Sequence, residues 1–151
     1  MQGYYNILDT LKASLIADVN VNTVSQGDIF DVDLKKQTIF PLSHIMVDGA
    51  SKEGSVFTFN ISVICMDVMD ENPIAATDSF RGNDNELDIL NTQFNVAATL
   101  VESLERGDLY EDKYVLNGNA SFEFFTERFE NKLAGVVVTF AVNVPTDVTV
   151  C

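Results

Sequence analysis

The chain has 151 residues, of which 23 are Asp or Glu and 9 are Lys or Arg, so its formal net charge is −14. Its length, with 46% hydrophobic and 21% charged residues, is typical of a single globular domain over residues 1–151 and excludes a disordered chain. The acidity argues against nucleic-acid and anionic-membrane partners. Because the sequence has neither a bilayer-length apolar run nor a signal-peptide pattern, we expect a soluble protein.

Two segments have the apolar spacing of amphipathic helices. The first covers residues 4–16, with Tyr4, Ile7, Leu8, Leu11 and Leu15 on one stripe. The second runs from Asn83 to Arg106, where Asn83–Asn85 offer capping side chains and Gly107 can end the helix. Its predicted apolar face consists of Leu87, Leu90, Phe94, Ala97, Val101 and Leu104.

Alternating apolar and polar residues predict the strands. In residues 56–67, one face carries Phe57, Phe59, Ile61, Val63 and Cys65, which predicts a half-buried strand. Residues 40–47 form another strand, with Pro41 at its start, and the turn-rich Asp48–Ser51 would close a hairpin between the two. The remaining strands are a short one around Thr23–Ser25 and a C-terminal pair, Ser121–Phe125 and Val136–Val144.

These elements predict an α+β fold, since helices and strands do not alternate as βαβ units. We expect a mostly antiparallel sheet of about four to five strands with both helices packed on one face. Residues 56–67 and 136–144 should be central and present Phe57, Phe59, Ile61, Val63, Val138, Phe140 and Val142 to the helices. Residues 28–37 and 71–85 have no clear periodicity, and loops of this length often carry function.

Residues suited to nucleophilic catalysis are few. His44 is the only histidine, which rules out a histidine triad or a two-histidine metal site within one chain. Its place in a predicted strand favours a packed, hydrogen-bonded side chain, and a Cys65–His44 pair is disfavoured. We expect Cys65 to be buried and Cys151 to be exposed, with no disulfide between them.

Carboxylates cluster twice, at Asp28, Asp31 and Asp33 and at Asp84, Glu86 and Asp88. Neither cluster has the glycine that a calcium loop needs at its sixth position, so a solvated loop and a charged helix N-terminus are favoured. The glycines form no phosphate-binding motif, and the aromatic residues lack the basic groove of a base-stacking surface. The sequence therefore predicts no catalytic, cofactor-binding or metal-binding residues, no cofactor and no enzyme.

The ordered string of motifs resembles small virion proteins of tailed bacteriophages, most closely the tail terminator or tail-completion type. The resemblance covers nearly the whole chain and includes Phe40-Pro41-Leu42, the alternating strand ending in Cys65-Met66-Asp67, the Asn83–Arg106 helix, and Leu133-Ala134-Gly135 before the last strand. It implies a two-helix α+β subunit assembled as a ring, usually a hexamer. That ring would end the tail tube and join it to the head or neck.

The resemblance further implies partners and a location: other copies of the chain, the tail tube protein and neck or connector proteins, in a virion assembled in the bacterial cytoplasm. Residues 28–37 and 71–85 are the segments expected to join ring neighbours. Two alternatives remain open. One is another neck or head-tail connector of the same virion, and the other is a monomeric acidic binding module, such as a mimic of DNA charge.

Overall fold

The computed structural model describes residues 3–28, 39–69, 85–106, 114–128 and 133–145. In chain order these form helix α1 (Gly3–Ile16), strands β1 (Thr23–Gln26), β2 (Leu42–Glu53) and β3 (Val56–Val68), helix α2 (Glu86–Arg106), and strands β4 (Val115–Arg128) and β5 (Leu133–Pro145). The sheet has the order β1-β2-β3-β5-β4. Among the described strands, β1 and β2 form the only parallel pair, and the other three neighbouring pairs are antiparallel. The α+β fold is therefore as predicted.

Both helices pack on the same face of the sheet, which we call the helix face. The core there joins Ile7, Leu11 and Leu15 of α1 to Val96, Leu100 and Leu104 of α2, and to the inward side chains of the interior strands. Those strand residues include Phe59, Ile61, Val63, Val138, Phe140 and Val142, all buried as predicted, while Phe57 is partly buried against them. Alternation in β3 and β5 thus identifies the buried face correctly.

The other face of the sheet has a second apolar cluster that the sequence pattern did not reveal. Its buried members are Phe40, Leu42, Ile64, Met66, Phe125 and Leu133. Because Ile64 and Met66 are buried on this side, β3 is covered on both faces over 61–66, and the prediction of a half-buried strand is wrong there. Pro41 comes directly before β2, as predicted, and the Phe40–Pro41 peptide is cis.

The β2–β3 hairpin turns later than predicted. Asp48–Ser51 lies within β2, and the turn falls at Gly54 and Ser55, where Gly54 has a φ of 59°. The register between β2 and β3 shifts between Val47 and Gly49, which is a β-bulge. Since all of 48–55 is exposed, this half of the hairpin needs no apolar alternation, and its glycine and small polar residues gave a false turn signal.

Helix α2 is rotated relative to the predicted apolar face. Leu87 is 40% exposed, whereas the buried stripe consists of Ile89, Gln93, Val96, Ala97, Leu100, Val101 and Leu104. The predicted capping residues Asn83 and Asp84 and the terminating Gly107 lie outside the described residues. In the part of the chain that the structure describes, no helix combines the length and hydropathy needed to cross a bilayer.

Strand β4 extends well beyond the predicted Ser121–Phe125. Its register with β5 shifts between Asn117 and Ser121, and Gly118 within this interval has a φ of 76°. Such an irregularity interrupts the period of two, which is why the first half of β4 does not read as a strand. Beyond it, Phe122 and Phe124 face the helices, and Phe124 is 53% exposed.

Candidate functional site

His44 is buried, and both of its ring nitrogens make hydrogen bonds. It lies in β2 opposite Ser25 of β1 and is fully buried. Its Nε2 is 2.7 Å from the Gly27 carbonyl oxygen, and its Nδ1 is 2.7 Å from Ser25 Oγ. A carbonyl oxygen can only accept, so Nε2 carries the proton and donates it to Gly27 while Nδ1 accepts from the Ser25 hydroxyl. Burial lowers the pKa of His44, opposed by the Gly27 hydrogen bond and the charge of Asp28.

Cys65 is fully buried in the core under the helices. Burial raises the pKa of its thiol to about 12, so the thiolate needed for attack is scarce at neutral pH. Its Sγ accepts a hydrogen bond from Ser43 Oγ at 3.8 Å. Cys65 faces the helices, whereas His44 on the neighbouring strand lies opposite Ile64 on the other face. The two side chains are therefore separated by the sheet, and Cys151 lies outside the described residues.

The two carboxylate clusters are only partly described. Asp28, Glu86 and Asp88 lie in the described segments, and Asp31, Asp33 and Asp84 lie outside them. Asp88 is exposed in the first turn of α2, where a negative charge complements the helix dipole. Within the described residues, no three His, Cys, Asp or Glu side chains are grouped as a metal site would require.

The polar surface of the sheet is the first candidate functional feature. On the side away from the helices, the hairpin half of β3 and β5 carries Thr58, Asn60, Ser62, Thr139 and Asn143. Hydrogen bonds link them: Thr58 to Asn143 at 2.8 Å, and Ser62 to Thr139 at 3.3 Å and to the Asp48 carboxylate at 2.8 Å. We call this the polar face; its polar positions were visible in the alternation of β3, but their partners on β2 and β5 were not.

The polar face bears no cation among the described side chains. Lys52 lies opposite Phe57 and so points to the helix face, and Lys12 belongs to α1. Asp48 and Glu123 place carboxylates on the polar side, since Ser62 binds Asp48 and Glu123 lies opposite Val137. The described side chains of the polar face therefore carry hydroxyl, amide and carboxylate groups.

The two edges of the sheet are the second feature. At one edge, β1 covers only the first four residues of β2, and a cavity of about 390 Å³ lies between β1 and α1. At the other edge, β4 is 14 residues long and pairs only with β5 among the described strands. Unpaired strand edges are places where a further strand can add. The predicted joining segments, 28–37 and 71–85, lie almost wholly outside the described residues.

No protein-family model matches the chain, and no curated protein has significant sequence similarity to it.

Proposed function

We propose that the protein is a structural virion subunit of a tailed bacteriophage that forms a ring, a hexamer as the sequence resemblance implies, at the head-proximal end of the tail. The ring would end the tail tube and join it to neck or connector proteins. The motifs that resemble the tail terminator type support this proposal, and so does the α+β architecture with two helices on one sheet, which that resemblance implies.

The observation that carries the proposal is the difference between the two faces of the sheet. One face is covered by both helices, and the other has in its hairpin half hydroxyl, amide and carboxylate groups with no described cation. Proteins that hold DNA do so with Lys and Arg that neutralise phosphates. A ring with the polar face toward its lumen would let DNA pass without binding it, in keeping with the net charge of −14.

The test is the mass of the protein in solution, measured by light scattering, alone and after incubation with tail tubes assembled from the tail tube protein of the same phage. We expect a ring-sized particle, or electron micrographs in which the protein caps one end of each tube. A strict monomer that also leaves tube ends bare would contradict the proposal and favour the monomeric acidic binding module. Capsid, portal and tail-tube genes beside its own gene would support the virion assignment independently.

A further inference from the structure

The outer peptide groups of β1 are arranged for strand addition. Thr23 N–H and Gly27 N–H donate to the carbonyl oxygens of Pro41 and Ile45, which fixes the peptide groups that face β2. Because peptide groups alternate along a strand, Val24 and Gln26 direct their N–H and C=O groups away from β2. The edge of β1 therefore presents two donors and two acceptors to a further strand.

The matching positions at the other edge are Phe122 and Phe124. Following Cα partners across the sheet from Val24 leads through Ser43, Cys65 and Val136 to Phe124. The same path from Gln26 ends at Phe122. No register shift interrupts either path, so the alternating direction of the peptide groups can be followed from β1 to β4. The N–H and C=O groups of Phe122 and Phe124 therefore point away from β5, toward the open edge of β4.

The strand directions at the two edges are compatible as well. One parallel and three antiparallel pairings separate β1 from β4, so the two edge strands run in opposite directions. In a ring whose axis follows the strands, every copy keeps the same orientation. The β1 edge of one copy would then lie antiparallel to the β4 edge of its neighbour, at the same height and with Val24 opposite Phe124.

Apolar side chains at the two edges are complementary. Phe124 is exposed at the β4 edge on the helix face, where its ring stacks on Phe94 with centroids 5.6 Å apart. At the β1 edge, on the same face, the cavity of about 390 Å³ is lined by Tyr4, Tyr5, Leu8, Val24 and Ile45 together with polar residues. Tyr5 is 69% exposed. A protruding aromatic ring at one edge thus corresponds to a mostly apolar recess at the other, whose lining also includes Asp9 and Lys12.

We propose that copies of this chain join head to tail by antiparallel pairing of Phe122–Phe125 in β4 with Thr23–Gln26 in β1, and that Phe124 packs into the cavity between α1 and β1 of the neighbour. This inference rests on the proposed ring and names its interface. The partner is a second copy because the two edges match in height, direction, peptide orientation and apolar character. Pairing between two different edges gives a closed ring when the successive rotations between copies add up to a full turn.

A disulfide experiment tests the register. Ser25 and Glu123 would face each other as a non-hydrogen-bonded pair, the arrangement with the shorter Cα separation. In a Cys151→Ser background, the double variant Ser25→Cys, Glu123→Cys should give a ladder of covalent oligomers on oxidation, seen by non-reducing electrophoresis. The matched control is Ser25→Cys with Asn117→Cys on the same edge strand, which should stay monomeric on the gel.

Two single variants test the contacts. Phe124→Ala and Val24→Pro should each raise the concentration at which rings form by at least about tenfold, as loss of a central interface contact does. The Val24 N–H faces outward, so a proline there leaves the β1–β2 hydrogen bonds intact. Val19→Ala removes another exposed apolar side chain and should leave assembly unchanged. Circular dichroism confirms that each variant is folded.

The outcomes separate this interface from the proposed function. Rings that form normally with both Phe124→Ala and Val24→Pro, or a disulfide ladder from the Asn117 control alone, would overturn the interface while the ring-forming function stands. If the unmodified protein neither forms rings nor caps tubes, the function itself fails.

Discussion

At the scale of single residues, His44 holds the edge strand of the sheet in place. It contacts Ser25 within β1 and the carbonyl of Gly27 just after it, where Gly27 has a φ of 99°. A lone histidine in a strand predicts a packed, hydrogen-bonded side chain, and the structure shows that packing. Its partners could not be predicted, because the parallel pairing of β1 with β2 leaves no local signal.

Protonation of His44 should destabilise the protein in mild acid. Burial lowers its pKa in the folded state, so below the ordinary histidine pKa of about 6.5 the unfolded chain takes up a proton more readily than the folded one. The contribution of neutral His44 to the free energy of unfolding is fully present above the ordinary histidine pKa and is lost as the pH falls below it toward the lowered pKa of the folded state. We therefore expect the free energy of unfolding, from urea denaturation, to fall between pH 7 and 5.5 more steeply than in His44→Gln.

The glutamine variant is the matched control because its amide can still donate to Gly27 but does not titrate. If the two proteins have parallel stability profiles over this pH range, the folded-state pKa of His44 is not lowered. Ser25→Ala removes the hydroxyl on Nδ1 and should cost about 1 kcal/mol at pH 7, measured in the same denaturation experiment.

At the scale of secondary-structure elements, close packing between β3 and β5 explains a glycine. A Cβ added at Gly135 would meet the carbonyl oxygen of Cys65 and come within 2.8 Å of Met66 Cα. Gly135→Ala therefore requires a backbone shift and should lower the free energy of unfolding by about 1–3 kcal/mol. Gly49→Ala in β2, which has open space around it, should change it by less than about 0.5 kcal/mol. Equal effects would show that β3 and β5 are not so closely packed.

The burial of Phe140 in a central strand predicts how much stability its replacement costs. Phe140 in β5 is 3% exposed and belongs to the cluster beneath both helices. Phe140→Ala should cost about 3–5 kcal/mol in urea denaturation, through lost burial and a residual cavity. Phe124→Ala, at an exposed site, is the comparison and should cost clearly less in the monomer. A loss below about 1 kcal/mol for Phe140→Ala would contradict its place in the core.

The sequence predicts elements best where one face is buried and the period is unbroken. β5 from Val136 onward and the first half of β3 meet both conditions, and their inward residues were assigned correctly. The prediction fails at Asp48–Ser51, which forms an exposed strand, and around Gly118, where a register shift breaks the period. It also fails for Leu87, which is exposed. The buried stripe of α2 includes the polar Gln93, and a search for apolar spacing does not count a glutamine.

The proposed interface shows the same limit at a larger distance along the chain. Val24 and Phe124 are 100 positions apart, and only the strand order puts them at the same height on opposite edges. A period-of-two pattern places each side chain on a face, but it says nothing about which strands are outermost. The polar face could be anticipated from Thr58, Asn60 and Ser62, whereas the edge positions needed the sheet topology.

At the scale of the whole molecule, net charge opposes the proposed ring. Each copy carries a formal charge of −14, so neighbours repel one another, while the contacts proposed at β1 and β4 are backbone hydrogen bonds and an aromatic ring in a mostly apolar recess. Salt shortens the range of the repulsion to about 10 Å at 0.1 M and leaves those uncharged contacts nearly unchanged. Assembly should therefore become stronger as ionic strength rises.

We expect the fraction of protein in rings, measured by light scattering at a fixed protein concentration, to increase between about 0.02 and 0.3 M NaCl, a range over which charge screening changes most. Val19→Ala should follow the same curve as the unmodified protein, and Phe124→Ala should follow it displaced to higher protein concentration. A ring fraction that falls with salt would mean that attraction between opposite charges dominates the interface, which the backbone hydrogen bonds and aromatic packing proposed between β1 and β4 do not provide.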